Sequence, residues 1–284
     1  MKKIALALLV SSVFYSSVLI ATPSTAPTAA TTEQEPTIEQ IKQLAQKGDP
    51  EAQFQLGERY FKGNGVSQDS KAAADWFVRA GNQGNSDAQF RLGTMFVNGF
   101  GVRRDYDKAM LWYEQAAENG DTRAETNMAM MYAQGLGVPQ NLEKAAFWFR
   151  KAAQGGNVIA QFHIAQMYSI GSGVDLDDEK AVFWFRKAAK QKDAKSQDRL
   201  GVMYSEGRGV KKNLQQAYAW LSTAVYSGNA ESRRLQSKIE EQLESADLQQ
   251  AQKLAESYIK SYGKKASWLL VWWAGDNSGP CHYK

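Results

Sequence analysis

Ala52-Gln53-Phe54-Gln55-Leu56-Gly57-Glu58-Arg59-Tyr60-Phe61-Lys62-Gly63-Asn64-Gly65-Val66 ends on a Gly-x-Gly-Val tetrad, and Trp76 comes ten residues later. The same order then recurs. Tryptophan stands at Trp76, Trp112, Trp148, Trp184 and Trp220, and the tetrad ends at Val66, Val102, Val138, Val174 and Val210. Both series keep one spacing, so residues 52–231 divide into five 36-residue units, 52–87, 88–123, 124–159, 160–195 and 196–231, without insertion or deletion. Self-similarity at such a period is the mark of a stacked repeat architecture.

Each unit reads as helix, turn, helix. Ala52, Leu56 and Tyr60 share one helical face, because residues four apart lie one turn above another. Asp49-Pro50 supplies an N-cap and a proline at the first helical position. Gly63-Asn64-Gly65 stops the helix, since glycine accepts the left-handed geometry of a helix terminus. The second helix begins at Asp69, and Asp105, Asn141, Asp177 and Asn213 repeat that capping side chain. Ala73, Trp76, Phe77 and Ala80 form its expected buried stripe. Gly84, Gly120, Gly156 and Gly228 close the second helices, with Lys192 as the exception. No segment shows strand-length alternation, so the expected fold is all-α.

A single hairpin of this kind cannot bury its apolar face, and a stack of them needs capped ends. Thr37-Ile38-Glu39-Gln40 has the form of a capping box, opening a helix within 37–51 that leads into the first unit. Ser232 to Leu243 and Ala246 to Tyr262 read as two closing helices within 232–263, with Ser245 as the cap between them.

The string Ala52-x3-Leu56-Gly57-x2-Tyr60-x2-Gly63-x-Gly65-Val66-x2-Asp69-x3-Ala73-x2-Trp76-Phe77-x2-Ala80 closely resembles the sel-1-like repeat, a relative of the tetratricopeptide repeat. Departures are small: Ala129 and Ala165 replace the first-helix glycine, and Ser196 the leading alanine. The resemblance implies a right-handed α/α superhelical solenoid that acts as an adaptor binding a protein partner, as exported bacterial members do. A cysteine-bearing branch has been linked to penicillin binding and weak β-lactamase activity. Its paired cysteines are absent here, where the one cysteine is Cys281, so that activity is not carried over.

Residues 1–30 read as a secretory signal peptide: Lys2-Lys3, a mostly apolar stretch from Ile4 to Ile20, and small residues with cleavage positions after Ala21, Ala26 or Ala30. An uncleaved anchor is the alternative. Residues 31–36 form a short linker. The expected location is therefore periplasmic or secreted, with no stable membrane span after cleavage. Without Lys2 and Lys3, 32 basic residues face 30 acidic ones, spread along the chain, which gives no electrostatic case for nucleic acid. The tail 264–284 holds an apolar run, Ala266 to Ala274, too short to span a bilayer. It either folds back on the last helices or meets a partner or membrane surface.

Chemistry finds little footing. His163 occupies a slot filled by Gln55, Arg91, Asn127 and Arg199 elsewhere, which reads as a solvated helix face. Cys281 and His282 are adjacent and lack metal-ligand spacing. Asp177-Asp178-Glu179 sits at a helix start, where carboxylates are favoured by the helix dipole. The Gly-x-Gly tetrads lack the lysine and preceding strand of a phosphate loop. The expectation is no catalysis, no cofactor and no metal. An envelope enzyme such as a peptidoglycan or β-lactam hydrolase is the alternative.

Alignment with the tetratricopeptide core maps a partner-binding groove onto the first helices. One column is Phe54, Phe90, Thr126, Phe162 and Asp198; a second is Glu58, Thr94, Met130, Gln166 and Val202; a third is Phe61, Val97, Ala133, Ser169 and Ser205. These slots vary between units while the core slots do not. Phe54, Phe61, Phe90 and Val97 place an expected apolar hot spot in the first two units. The competing reading is that the phenylalanines only pack between successive first helices.

Overall fold

The structure is a computed structural model that describes residues 36–265. The leader, most of the linker, the run from Ala266, Cys281 and His282 lie outside the described residues. Every described element is a helix. A leading helix α1 (Ile38–Gln46) precedes five pairs: α2 (Pro50–Lys62) and α3 (Ser70–Gly81), α4 (Ser86–Asn98) and α5 (Tyr106–Glu118), α6 (Thr122–Gln134) and α7 (Leu142–Gln154), α8 (Val158–Ile170) and α9 (Asp178–Lys190), α10 (Ala194–Glu206) and α11 (Leu214–Tyr226). Helices α12 (Ser232–Glu240) and α13 (Ser245–Tyr262) complete the chain order. Within a unit the two helices pack on each other, and each second helix packs on the next unit's first. The result is the all-α superhelical repeat expected.

Capping explains where the helices start. Asp69, Asp105, Asn141, Asp177 and Asn213 accept backbone N–H bonds at the second helices. Asp49, Asn85, Asp121, Asn157 and Asp193 do the same at the first helices. Each such cap is worth about 1 kcal/mol. The capping box at Thr37 is present, with Gln40 returning a bond to its backbone N–H. The cap between the last two helices differs from expectation: Ser245 is already helical, and Glu244 precedes it without a side-chain capping bond. The first closing helix ends at Glu240, short of Leu243.

The core runs along the helix interfaces. Leu56, Leu92, Met128, Ile164 and Leu200 fill one slot of the first helices, none more than 1% exposed. Opposite them stand Phe77, Tyr113, Phe149, Phe185 and Leu221. These side chains, one residue after each tryptophan, are the deepest large groups of the second helices, and each contributes roughly 1.5–3 kcal/mol by leaving water.

The tryptophan stripe is less buried than its sequence position suggests. Trp76, Trp112 and Trp148 are half-buried, while Trp184 and Trp220 are buried. Cations cover the outer faces: Arg79 lies 4.5 Å over Trp76 and Lys151 5.0 Å over Trp148. Trp220 is enclosed because α13 lays Tyr258 and Tyr262 against it, at centroid distances of 4.6 and 5.6 Å.

A polar ladder joins the units. Gln53, Gln89, Gln161 and Gln197 are buried and donate from Nε2 to the carbonyls of Ala45, Gly81, Ala153 and Ala189 in the preceding helix. Three of their Oε1 atoms accept from Gln83, Asn119 and Gln191. The third unit breaks the series: Glu125 has no amide to donate, Gly155 holds the answering position, and Lys151 Nζ pairs with Glu125 Oε1 at 2.8 Å. A buried carboxylate is tolerable only with such a partner.

Candidate partner-binding face

All ten residues assigned to the groove lie on first helices and are half-buried: Phe54, Glu58, Phe61, Phe90, Thr94, Val97, Met130, Phe162, Gln166 and Val202. Their spacing explains it. They flank the Leu56 slot, so one edge touches the core and the other faces out. Phe54, Phe90 and Phe162 rest on Phe77, Tyr113 and Phe185 of their own units, with centroids 5.8, 6.0 and 5.9 Å apart. The rings therefore lean on their own second helices rather than packing only between successive first helices. Thr126 of the same column is buried instead, its hydroxyl donating to the Thr122 carbonyl.

The face carries more polar cover than its apolar columns imply. Arg123 places its guanidinium 4.4 Å over Phe90 and is gripped by Asp121 and Asp87, which raise its pKa further. Glu58 joins Arg91 of the next unit at 2.7 Å and Lys62 of its own helix. Thr94 Oγ1 meets the Tyr113 hydroxyl at 3.2 Å, and Asn127 donates to that hydroxyl at 2.9 Å. Burial pushes the Tyr113 pKa up, against the pull of these two bonds. Phe61 contacts Phe100, in the turn of the next unit, at 6.2 Å.

His163 departs from the solvated position expected of its slot. Its ring stacks on Phe149 at 5.0 Å with planes 24° apart, and meets Phe162 edge-on at 5.4 Å. Burial lowers its pKa, nearby Lys195 adds to that, and Asp193 opposes it. The acidic Asp177-Asp178-Glu179 start is structural: Asp177 caps α9 and Asp178 pairs with Arg208 of the next unit.

At the far end of the face a cavity of about 710 Å³ opens between α8, α10 and the turn before α12. Phe162 and Gln166 reach it from α8, Lys195, Asp198 and Arg199 from α10, and Ser227 and Ala230 from the turn. The apolar hot spot was expected in the first two units; this hollow lies in the last two. Of the other lining residues, Arg199 was read only as an occupant of the His163 slot and Gly228 only as a helix stop, and Lys195 was not singled out in sequence. Among the described residues no group of three or more His, Cys, Asp or Glu is placed to hold a metal.

The Sel1 repeat profile matches residues 50–85, 86–121, 122–157, 158–193 and 194–229. The chain belongs to the Sel1 repeat family. Each matched span starts with a first helix, two residues before the units counted from Ala52. A crystal structure of a Sel1 repeat protein from Oxalobacter formigenes is similar at 28% identity and a TM-score of 0.63, over 78% of this chain and 99% of that one. The crystal structure of a protective antigen of uropathogenic Escherichia coli, displaying an SLR fold, is similar at 30% identity and a TM-score of 0.56. That likeness covers 87% of this chain and 61% of the antigen. The secretory immunoglobulin A-binding protein EsiB of Escherichia coli O6:H1 (strain CFT073) is 51% identical over 43 residues, 15% of this chain and 9% of that protein. This chain thus spans about three fifths of the antigen, and its match to the immunoglobulin-binding protein reaches a small part of it. Sel1 repeats are generally protein-interaction scaffolds, and no described helix is long and apolar enough to cross a membrane.

Proposed function

We propose that this Sel1 protein is an exported, non-catalytic scaffold that holds a protein partner in the groove formed by its first helices. The observation that carries the reading is the contrast between adjacent slots. The Leu56 slot stays apolar and buried in all five units, while its neighbours run from half-buried phenylalanine through buried Thr126 to half-buried Asp198 in one column, and from Glu58 through Thr94, Met130 and Gln166 to Val202 in another. Packing does not demand that variation, whereas a surface reading one partner does. The name of one relative records binding of secretory immunoglobulin A, which supports a protein ligand of this general kind. Export, to the periplasm or beyond, is supported by Lys2-Lys3, the apolar stretch to Ile20 and the small residues up to Ala30.

The test compares Phe61→Ser with Val97→Asn, made together, against the unaltered protein for capture from an envelope extract and for melting. Loss of a captured band with melting preserved is the expected result. A large fall in melting, with capture reduced only in proportion, would make these side chains core. Cell fractionation with N-terminal sequencing tests export; a cytosolic product beginning at Met1 would end that part of the proposal.

A further inference from the structure

The second helices carry an open apolar stripe. Leu111, Phe147 and Phe183 stand one unit apart on α5, α7 and α9 and are 58%, 51% and 48% exposed. Each lies two residues before the deep ring of its helix, Tyr113, Phe149 or Phe185, which is about 200° around the helix. The deep rings face the first helices, so the stripe faces away from them. Phe147 and Phe183 stand edge-on to Trp148 and Trp184, and Lys187 lies 4.9 Å over Phe183. Apolar exposure aligned over three successive units marks a contact surface, which scattered single residues do not.

The protein covers the same face once with its own chain. In α11 the slot of Leu111, Phe147 and Phe183 is held by Ala219, which is fully buried in a cluster with Ala251 and Ala255 of α13. Gln215 bonds Asp247 and Gln250 of that helix at 2.9 and 3.2 Å, and Tyr258 donates to Gln216 at 2.7 Å. The outer face of a second helix can therefore receive another helix, while the stripe on α5, α7 and α9 stays exposed.

Charge is unequal along the stripe. The exposed C-terminal half of α5 carries Glu114 and Glu118, and that of α9 carries Lys187 and Lys190. None of these four makes an ion pair among the described residues. A surface that is acidic at one end and basic at the other complements a copy of itself turned end for end. A twofold axis running along α7 does this: it keeps the helices pointing the same way and reverses their order. Glu114 and Glu118 then face Lys187 and Lys190 of the second copy, and Leu111 faces its Phe183. At the axis the two Phe147 rings meet and Glu143 stands opposite Lys144. Lys151, already held by Glu125, brings little free charge against Arg150. The three helices have 13 residues each. Helices of that length, about 20 Å, give a three-helix face on the order of 600 Å². Two such faces reach the lower end, about 1,200 Å², of stable interfaces.

We propose that a second copy of this chain docks on this stripe about a twofold axis along α7, setting α5 of each copy against α9 of the other. Such an interface is isologous, with each patch used twice. It leaves both first-helix grooves open, which makes the pair bivalent toward a partner. The docking itself does not depend on the groove reading, and its test contains no partner, so the two fail separately.

Sedimentation equilibrium of the full chain over a wide range of concentration tests it. A dimer is expected for the unaltered chain. Phe147→Ser with Phe183→Ser should leave a monomer with its melting preserved, because both rings lie on the surface. Glu114→Lys with Glu118→Lys should weaken the dimer about tenfold or more, since like charges then face each other. Lys187→Glu with Lys190→Glu should do the same, and all four substitutions together should restore it. A monomer at every concentration overturns the proposal, as does a dimer that survives loss of both phenylalanines. Failure of the fourfold charge exchange to recover the dimer shows that α5 and α9 do not meet, and overturns it too. So does a chain that stays monomeric but binds phosphatidylglycerol vesicles through the two phenylalanines, which means a membrane surface.

Discussion

Gly57 lies directly beneath the ring of Phe77: a Cβ on residue 57 would stand 2.6 Å from Cε1 of that ring. Gly93 is tighter still beneath Tyr113. The absent side chain lets the two helices of a unit approach until the aromatic ring lies on backbone. Gly57→Ala is expected to cost about 1–3 kcal/mol through overpacking. Gly93→Ala should cost more, because Thr94 and Asn127 tether the Tyr113 hydroxyl and the ring cannot slide. Ala129 and Ala165 occupy the same slot naturally, over the untethered rings of Phe149 and Phe185. Urea denaturation of both variants checks the order; equal losses would show that the tether does not hold the ring.

Glu125 interrupts the glutamine ladder, and its replacement tests what the ladder contributes. Glu125→Gln restores the amide that its four counterparts point at the preceding helix, here toward the Ala117 carbonyl. It also releases Lys151, which is half exposed. Breaking a buried ion pair by removing one charge ordinarily costs about 3–5 kcal/mol, because the other charge stays buried. Lys151 can instead turn to solvent, so the expected change is within about 1 kcal/mol. The melting point should also become less sensitive to salt. Gln89→Met, by contrast, strands the Gly81 carbonyl and the Asn119 amide and should cost about 1–3 kcal/mol. A large loss from Glu125→Gln would show that the carboxylate is needed for more than its pairing with Lys151.

The repeat period made the fold legible, since Trp76, the Gly-x-Gly-Val tetrad and Asp69 return in phase and each has a local physical role. Depth of burial was less legible. A tryptophan and the phenylalanine after it lie about 100° apart on a helix, and either can face inward. The choice falls on Phe77 because Gly57 leaves room for that ring, a relation across two helices. The same limit hid the place of His163. Its slot looks free when read as Gln55, Arg91, Asn127 and Arg199, yet the His163 ring lies between Phe149 of the preceding unit and Phe162 of its own. The cavity at the C-terminal end was illegible for a further reason. It is bounded by Ser227 and Ala230, and although Gly228 between them is in phase with the repeats, the α12 that follows has no counterpart in the period.

Lys192 is the one non-glycine among the described residues with a left-handed backbone, at φ 71°. Its counterparts Gly84, Gly120 and Gly156 hold the same turn with open space around them. A Cβ in this conformation costs about 1–2 kcal/mol, partly offset because glycine makes the unfolded chain more flexible. Lys192→Gly should therefore raise stability by about 0.5–1 kcal/mol. Gly173→Ala should do the opposite and do it more severely. It combines a left-handed φ of 69° with direct collision against the Leu142 carbonyl of the preceding unit. Thermal melts of the two variants should move in opposite directions; a stabilised Gly173→Ala would refute the interunit contact.

His163 should make stability depend on pH. The imidazole is stacked on Phe149, faced edge-on by Phe162, and approached by Lys195 and Asp193. Burial comes first in holding its pKa below the ordinary value of 6.5, Lys195 second, and Asp193 acts against both. The unfolded chain therefore takes up a proton near pH 6.5, while the folded chain takes it up only at lower pH. With more protons bound to the unfolded state across that window, stability rises with pH. The stabilisation from a neutral stacked ring is whole above about pH 6.5 and is lost as pH falls through the folded pKa. Melting of the wild type should drop between about pH 7 and pH 5 by more than that of His163→Gln. The chain has two histidines, so a His282→Gln background leaves a single imidazole signal for direct NMR titration. A midpoint below 6.5 is expected. In Lys195→Gln it should rise toward 6.5 without reaching it, since burial remains the larger cause. A midpoint at or above 6.5 in the wild type would mean that the ring stands in water, as its slot alone suggested.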